Sequence, residues 1–489
     1  MNFATWVYDR AQQQGWLTRQ AFHTSEEVWS HGSIHSRAAQ AASILADEGI
    51  RQGDRIILVL HDSPALVVAF LACARLGAVA ALVNPRLSVG DYLAMVETLA
   101  PRLVVAEPQV AEHFSIKTLA GRELLTKAEN APAAPPVVCA EQDPLYIQFT
   151  SGTTGSPKGA IHSHVDPIHY HERIASALFE LCPEDVSLSV SKLSFAYGFG
   201  NTLVFPLTTG GSAVLIAGAH DPATVALAVE RYSVTRLYSV PSSYARLVTE
   251  TDANAFRTLR SVVSAGELLP STLAERARSF FGLPVLEQLG STELGHAYCA
   301  NTPTRNLPGT VGLPVPGYEI DIRDGEGRSL GSGEHGEIWV RGSTVMQAYV
   351  NAPDATRATI VDGWVRSRDL GLRREDGFVV VLGRIDDVEV VGGLKVLPHE
   401  VEALLLDDPA VVEAAVAAVR NEVGATKLRA FVVPRDNALG EDDLEKRLLS
   451  RVRAHLPPFK VPRSITVVSA LPKTPSGKLR RHIIRLGTW

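Results

Sequence analysis

The run Phe149-Thr150-Ser151-Gly152-Thr153-Thr154-Gly155-Ser156-Pro157-Lys158-Gly159 takes its meaning from what stands on either side of it. Before it, Leu145-Tyr146-Ile147-Gln148-Phe149 has strand composition, and a second short apolar stretch, Ala160-Ile161, follows. Between them small hydroxyl residues and glycines crowd together, and a lysine closes the run. Glycines let backbone N–H groups turn toward an anion, hydroxyls add donors, and a lysine supplies a point charge on a flexible stem. The density favours a phosphate loop over an ordinary turn between strands. A G-x-x-x-x-G-K-[ST] loop does not fit, because Pro157 stands where its second glycine belongs and Gly159 where its hydroxyl belongs, which argues against a kinase or GTPase.

The whole chain bounds what such a loop serves. Its 489 residues exceed one ordinary core, so two or more domains are expected. A hydrophobic content of 46% with 20% charged residues describes a globular chain without a large disordered part. The net charge of -6 argues against general binding to nucleic acid or to a membrane surface. Cys73, Cys139, Cys182 and Cys299 are widely spaced, so neither a disulfide framework nor a zinc site is suggested, and a reducing cytoplasm is the expected location. Residues 1–10 lack the basic-then-apolar order of a signal peptide. The apolar stretch 65–83 is long enough to span a bilayer, but a central Arg75 costs about 2.5–3.5 kcal/mol on insertion scales. A buried helix over 64–76 followed by a strand over 78–83 is the expectation instead.

Around the loop, helical and strand patterns alternate: a helix at 36–48, a strand at 55–60, a helix at 91–99 and a strand at 103–106. Such alternation predicts parallel sheets flanked by helices. Residues 130–144, rich in proline, form a surface connection. His162, His164, His169 and His171 follow the loop closely, but their spacing and the lack of a Cys or acidic ligand motif favour packed or solvated histidines over a metal site. Asp166-Pro167 reads as a helix N-cap with proline in the first turn.

Farther on, Leu193-Ser194-Phe195-Ala196-Tyr197-Gly198-Phe199-Gly200-Asn201 is aromatic and glycine-rich. Strands at 236–240 and 261–264 are each followed by a turn, the second being Ala265-Gly266-Glu267-Leu268-Leu269-Pro270. Val285-Leu286-Glu287-Gln288-Leu289-Gly290-Ser291-Thr292-Glu293 leads from a strand into a polar turn. There a hydroxyl can donate to a phosphate oxygen and a carboxylate can hold a hard cation, although a Thr-Glu pair is also a common helix start. Over 317–340 the pattern changes to short strands joined by turns at 324–327 and 331–334, a small antiparallel unit.

In this order the segments resemble the signature motifs of adenylate-forming enzymes: acyl- and aryl-CoA ligases, luciferases and peptide-synthetase adenylation domains. The resemblance covers nearly the whole chain, and the Ala-Tyr-Gly wording at Ala196-Tyr197-Gly198 looks like the benzoate-CoA ligase branch. It implies an α/β fold: a large N-terminal domain of helix-flanked sheets with a small antiparallel β subdomain, residues 1–385, and a smaller, mobile α+β C-terminal domain, residues 386–489. It implies an ATP-dependent ligase acting through an aryl-AMP intermediate, with ATP, Mg2+ and coenzyme A. The aryl acid would be benzoate, anthranilate or a hydroxybenzoate, and the protein a monomer or homodimer. Loading of a separate carrier protein is the alternative, and a catalytically silent ligand-binding member is a third reading.

Carried onto this chain, the resemblance makes Lys478, Thr292 and Glu293 catalytic, with Glu293 also the metal ligand. Thr150, Ser151, Gly152, Thr153, Thr154, Gly155 and Lys158 would bind phosphate, with Gly266, Glu267, Gln288, Leu289, Gly290 and Ser291 on the nucleotide. Asp369 would grip the ribose hydroxyls, Arg384 would lie beside ribose and α-phosphate, and Gly393 would belong to the loop that meets the thiol. Ala196, Tyr197, Gly198 and His296 would wall the acyl pocket. Three positions depart from the family wording: Leu289 replaces an aromatic residue, Ser-Arg-Asp at 367–369 replaces Thr-Gly-Asp, and Val390 replaces a lysine.

Overall fold

The structure is a computed structural model that describes residues 1–150, 157–391, 394–420, 426–435, 441–473, 479–487 and 489. The alternation of apolar strands and helices folds into two helix-flanked sheets. In the first, six strands run in the order Thr118–Ala120, Leu103–Ala106, Arg55–Val59, Val79–Leu82, Pro144–Phe149, Gly159–Ser163. All neighbours are parallel except the last two, which form the antiparallel pair on either side of residues 150–158. The second sheet has nine strands, and its central run Val186–Ser189, Arg236–Ser239, Ser261–Ser264, Val285–Gly290 is parallel. Parallel strands buried on both faces read as continuous apolar runs, which is why they are legible.

The suspect stretch 65–83 is internal. The helix Pro64–Arg75 buries every residue from Pro64 to Ala74, and Arg75 Nε donates to the Ala134 carbonyl at 2.6 Å. Gly77 then turns the chain with φ +65°, where a Cβ would lie 3.0 Å from Gln52 Cγ and 3.1 Å from Cys139 Sγ. Among the described residues no helix is long and apolar enough to cross a membrane.

Local differences from the sequence expectations have physical reasons. The helix expected over 36–48 begins earlier, as His31–Asp47, because Ser30 caps it by accepting from Ser33 N, and Gly32 lets it approach the Leu17 carbonyl, 2.8 Å from where a Cβ would sit. Asp166 is the first residue of the helix Asp166–Tyr170 rather than its cap; its carboxylate instead accepts from Ser163 N–H and Oγ–H. Over residues 318–342 there is a single hairpin, Tyr318–Arg323 with Gly336–Gly342, and both expected turns lie in its connection. Trp364–Arg373, Val379–Arg384 and Ile360–Val361 complete an antiparallel sheet of five.

Beyond residue 390 the pattern is α+β. Val411–Arg420, Thr426–Pro434 and Ile465–Val467 form a three-stranded sheet covered by the helices Pro398–Leu406 and Glu441–His455. Its apolar cluster is drawn from Val396, Val401, Leu405, Val416, Leu448 and neighbours of the same segment.

Candidate active site

The stretch expected to bind phosphate runs between the strands Pro144–Phe149 and Gly159–Ser163. Thr150 N donates to the Lys158 carbonyl at 2.9 Å and Lys158 N to Thr150 Oγ1 at 3.4 Å, so the loop is closed at its base. Lys158 Nζ lies 5.5 Å from the centre of the Tyr349 ring, a cation–π contact. Ser151, Gly152, Thr153, Thr154 and Gly155 lie outside the described residues, as do Gly393 and Lys478.

The strand Val285–Gly290 delivers the polar turn. Gly290 is required by packing: a Cβ there would sit 2.7 Å from the His296 carbonyl oxygen. Ser291 follows in extended geometry, and Thr292–Leu294 forms a single 3-10 turn. Tyr349 Oη donates to Glu293 Oε1 at 2.5 Å, and Met346 N donates to the Glu293 carbonyl at 2.8 Å. Among the described residues no group of three His, Cys, Asp or Glu side chains could cage a metal ion. A lone carboxylate held by a phenol fits a magnesium ion that arrives with ATP and takes most of its ligands from phosphates and water.

The residues expected on the nucleotide lie on and after the adjoining strands. Gly266 has φ +89°, and Glu267 accepts from Ser242 N at 3.3 Å and from Ser242 Oγ at 3.4 Å. Gln288 is buried with no partner for its Oε1, and Ser291 Oγ is likewise unpartnered, so both have capacity for a ligand. Leu289 packs against the main core. Burial pushes the neighbouring Glu287 carboxyl up to about 7. Asp369, 8% exposed on the strand Trp364–Arg373, accepts from Tyr298 Oη at 3.4 Å and meets Arg384 Nη1 at 3.4 Å. Burial works to lower the Arg384 guanidinium, but the carboxylates of Asp369, Asp387, Asp386 and Glu293 outweigh it and leave it above its usual range.

The aromatic segment forms the start of a helical run, Ala196–Gly198 continuing through Phe199–Val204 to Phe205–Thr209. Gly198 is fixed by packing, since a Cβ would lie 2.2 Å from the Lys192 carbonyl oxygen. Tyr197 faces the site: its ring centre is 5.9 Å from His296 and 6.1 Å from Tyr238. Phe199 turns the other way, into the core against Phe70 at 5.2 Å and Tyr146 at 4.6 Å. His296, 2% exposed, stands among Tyr170, Tyr197 and Phe205, with Nε2 3.2 Å from Asn201 Oδ1. Burial pushes its pKa down to about 3, so the ring is neutral. Its approach to the helix backbone demands Gly200, where a Cβ would be 2.2 Å from His296 Cδ2.

The structure brings Tyr197, flanked by Ala196 and Gly198, against His296, joins Lys158 through Tyr349 to Glu293, and pairs Asp369 with Arg384 on the neighbouring sheet. Tyr349, His162 and Asn201 were not singled out as site residues from sequence. Each reaches the site by a contact between distant parts of the chain, and no local pattern announces it. The four clustered histidines do different things: His162 contacts Asp166 and Thr292, His164 Nδ1 accepts from Phe3 N, His169 meets Glu172, and His171 stands edge-on to Trp6.

The fold and the arrangement of these groups define an adenylate-forming enzyme. The chain belongs to the AMP-binding enzyme family: the family pattern matches residues 8–350, and that of the AMP-binding enzyme C-terminal domain matches residues 400–478. It is 40% identical to the p-hydroxybenzoic acid–AMP ligase FadD22 of Mycobacterium tuberculosis over 99% of this chain and 68% of that protein. It is 34% identical to the benzoate–CoA ligase of Thauera aromatica over 89% of this chain and 86% of the relative. An anthranilate CoA ligase solved in complex with anthranoyl-AMP superimposes with a TM-score of 0.94 at 27% identity, covering 100% of this chain and 97% of that one. The chain is thus an enzyme of the aryl-acid adenylating and CoA-ligating group, in the benzoate-CoA ligase-like branch.

Proposed function

We propose that this protein is an ATP-dependent aryl-acid:CoA ligase acting on benzoate, a hydroxybenzoate or anthranilate. The observation that carries the reading is the Thr292–Glu293 turn, whose Glu293 carboxylate is tied through Tyr349 to Lys158, and the aromatic contact of Tyr197 with His296, which follows the same turn. That geometry suits a molecule with a flat apolar ring at one end and a carboxylate that must meet a phosphate at the other. In the first half-reaction a carboxylate oxygen of the acid attacks the α-phosphorus of MgATP, the bond to the β-phosphate oxygen breaks, and pyrophosphate leaves. Lys158, Lys478 and the Thr292 hydroxyl offset the charge on the phosphates, Glu293 holds the magnesium that ATP brings, and Asp369 and Arg384 orient the ribose. This is positioning and electrostatic stabilisation. In the second, the thiol of coenzyme A loses its proton, sulfur attacks the acyl carbon, and AMP leaves.

Lys478 and the thiol must approach the same carbonyl in turn. We therefore assign residues 1–385 and 386–489 to two domains, the second rotating between steps about Asp386. That residue is held by Arg368 through its carboxylate at 2.5 Å and by Arg485 through its carbonyl at 2.9 Å. The Arg368–Asp386 ion pair crosses the proposed boundary, and a pair that is exchanged on rotation suits a hinge with two discrete arrangements.

A second reading replaces coenzyme A with a separate carrier protein. It is favoured by the 40% identical relative, whose name gives an acid–AMP ligase and no thiol acceptor. Scoring a panel of acids for pyrophosphate exchange, and then for AMP release with coenzyme A, tests both: exchange with an aryl acid and thioester formation support the ligase. Exchange without any use of coenzyme A supports the carrier reading.

A further inference from the structure

The turn that carries Thr292 and Glu293 closes itself with only two bonds, Leu294 N to the Ser291 carbonyl at 3.3 Å and Gly295 N to the Thr292 carbonyl at 3.2 Å. Its shape is imposed from outside. Three successive carbonyls are each met by a distant donor: Thr292 O by His162 Nε2 at 2.8 Å, Glu293 O by Met346 N at 2.8 Å and Leu294 O by Thr344 Oγ1 at 2.8 Å. Of these donors, His162 alone lies on Gly159–Ser163, the strand that leads directly out of the phosphate loop.

His162 is fully buried, and its ring stacks on Tyr146 with centres 5.0 Å apart and planes inclined by 16°. Nδ1 lies 3.0 Å from Asp166 Oδ2, and that carboxylate also accepts from Ser163 N–H and Oγ–H, each at 3.0 Å. A carbonyl can only accept, so the hydrogen of the second bond is on Nε2 and points at Thr292. The carboxylate behind the ring, itself held by Ser163, fixes the ring's orientation. A histidine that merely filled the core would be served by any nearby acceptor. This one reaches across 130 residues of sequence to the backbone of the residue whose hydroxyl is assigned to the phosphate.

We propose that His162, oriented by Asp166, is a positioning residue that fixes the Thr292 backbone relative to the phosphate loop and so aims the Thr292 hydroxyl at the α-phosphate during adenylation. The proposal rests on the adenylating function argued above. His162 makes no contact with substrate in this role. It ties the strand Gly159–Ser163 to the turn; its ring also stacks on Tyr146, which packs on Phe199 and hydrogen-bonds Tyr170, so the variant used as a test must keep apolar side-chain atoms against Tyr146.

The test compares His162→Met, which keeps volume and removes the donor, with His162→Gln, whose amide N–H can reach the same carbonyl. Pyrophosphate exchange is measured with the aryl acid that the wild type uses best. His162→Met should lower kcat for exchange by about 10- to 100-fold with the KM of the acid unchanged, and His162→Gln should recover most of that loss. A folded His162→Met variant with wild-type exchange would overturn the proposal, as would a loss that appears equally in the KM of the acid and is not recovered by glutamine. Should the methionine variant fail to fold, His162→Gln decides alone: exchange kept supports the proposal, and a folded protein without exchange overturns it. A wild type that exchanges pyrophosphate with no aryl acid would remove the functional reading itself, and the proposal with it.

Discussion

His162 bonds to the Thr292–Leu294 turn, His296 follows that turn by two residues, and the surroundings of the two rings are opposite in kind. His162 has a carboxylate on one nitrogen and a carbonyl on the other. His296 has Asn201 on Nε2, no partner on Nδ1, and aromatic rings around it. Burial without a counter-charge holds His296 neutral, pushed down to about 3. The difference divides the region into an ionic end held by polar ties and a desolvated end; on the proposed function the first faces phosphate and the second selects the acid. A change at the first end should damage adenylation with every acid. A change at the second should alter which acid is preferred.

The largest expected effect lies at the ionic end. Lys478→Ala should lower formation of aryl-AMP by about 100- to 1,000-fold, the usual cost of removing a group that stabilises transition-state charge. The loss should be the same for every acid tested, and chemically supplied aryl-AMP should still be consumed with coenzyme A. Equal loss in both half-reactions would break the division, since the lysine would then serve a state common to both.

A smaller effect belongs to the apolar end. Tyr197→Ala removes the ring that faces His296 and should lower kcat/KM for benzoate by about 3- to 10-fold relative to a short aliphatic acid. The ratio between acids is the readout. If both acids lose activity in proportion, Tyr197 supports the fold and does not choose the substrate.

The smallest effect is on stability and follows from the neutral ring. His296 has a folded value of about 3 against an ordinary 6.5, so its contribution is fully present above pH 6.5 and is lost as pH falls toward the folded value. His35, at about 3, and His171, at about 4, act in the same sense. Asp62, raised to about 6, and Glu287, raised to about 7, act in the opposite sense between their ordinary values and these, so the whole protein shows only the difference. Replacing His296 with Gln should therefore remove about 1–2 kcal/mol of the change in unfolding free energy between pH 6.5 and pH 5. An unchanged pH slope in urea titrations would mean that His296 is not held neutral.

How far the sequence could be read depends on whether the cause was local. The strands Leu103–Ala106 and Ser261–Ser264 match their expected bounds to the residue, because an apolar run between helical patterns has few other ways to be buried. Lys158, Thr292, Glu293, Asp369 and Arg384 were expected as site residues because each sits in a short motif with its own wording, and their roles stand as proposals. The aromatic segment was legible as a wall but not in detail. Tyr197 and Phe199 are two residues apart on a helix, so they face in different directions, and only one of them can look into the site. His162 and Tyr349 could not be found this way. The first acts through the Thr292 carbonyl and the second through the Glu293 carboxylate, both contacts between strands or turns far apart in sequence.

The measurement that bears most directly on the account is pyrophosphate exchange by the wild-type protein across a panel of acids: benzoate, 4-hydroxybenzoate, anthranilate, acetate and palmitate. The account predicts that the highest kcat/KM falls to one of the three aryl acids, with acetate and palmitate far below. The highest value for acetate or palmitate, or exchange with none of the aryl acids, would contradict it.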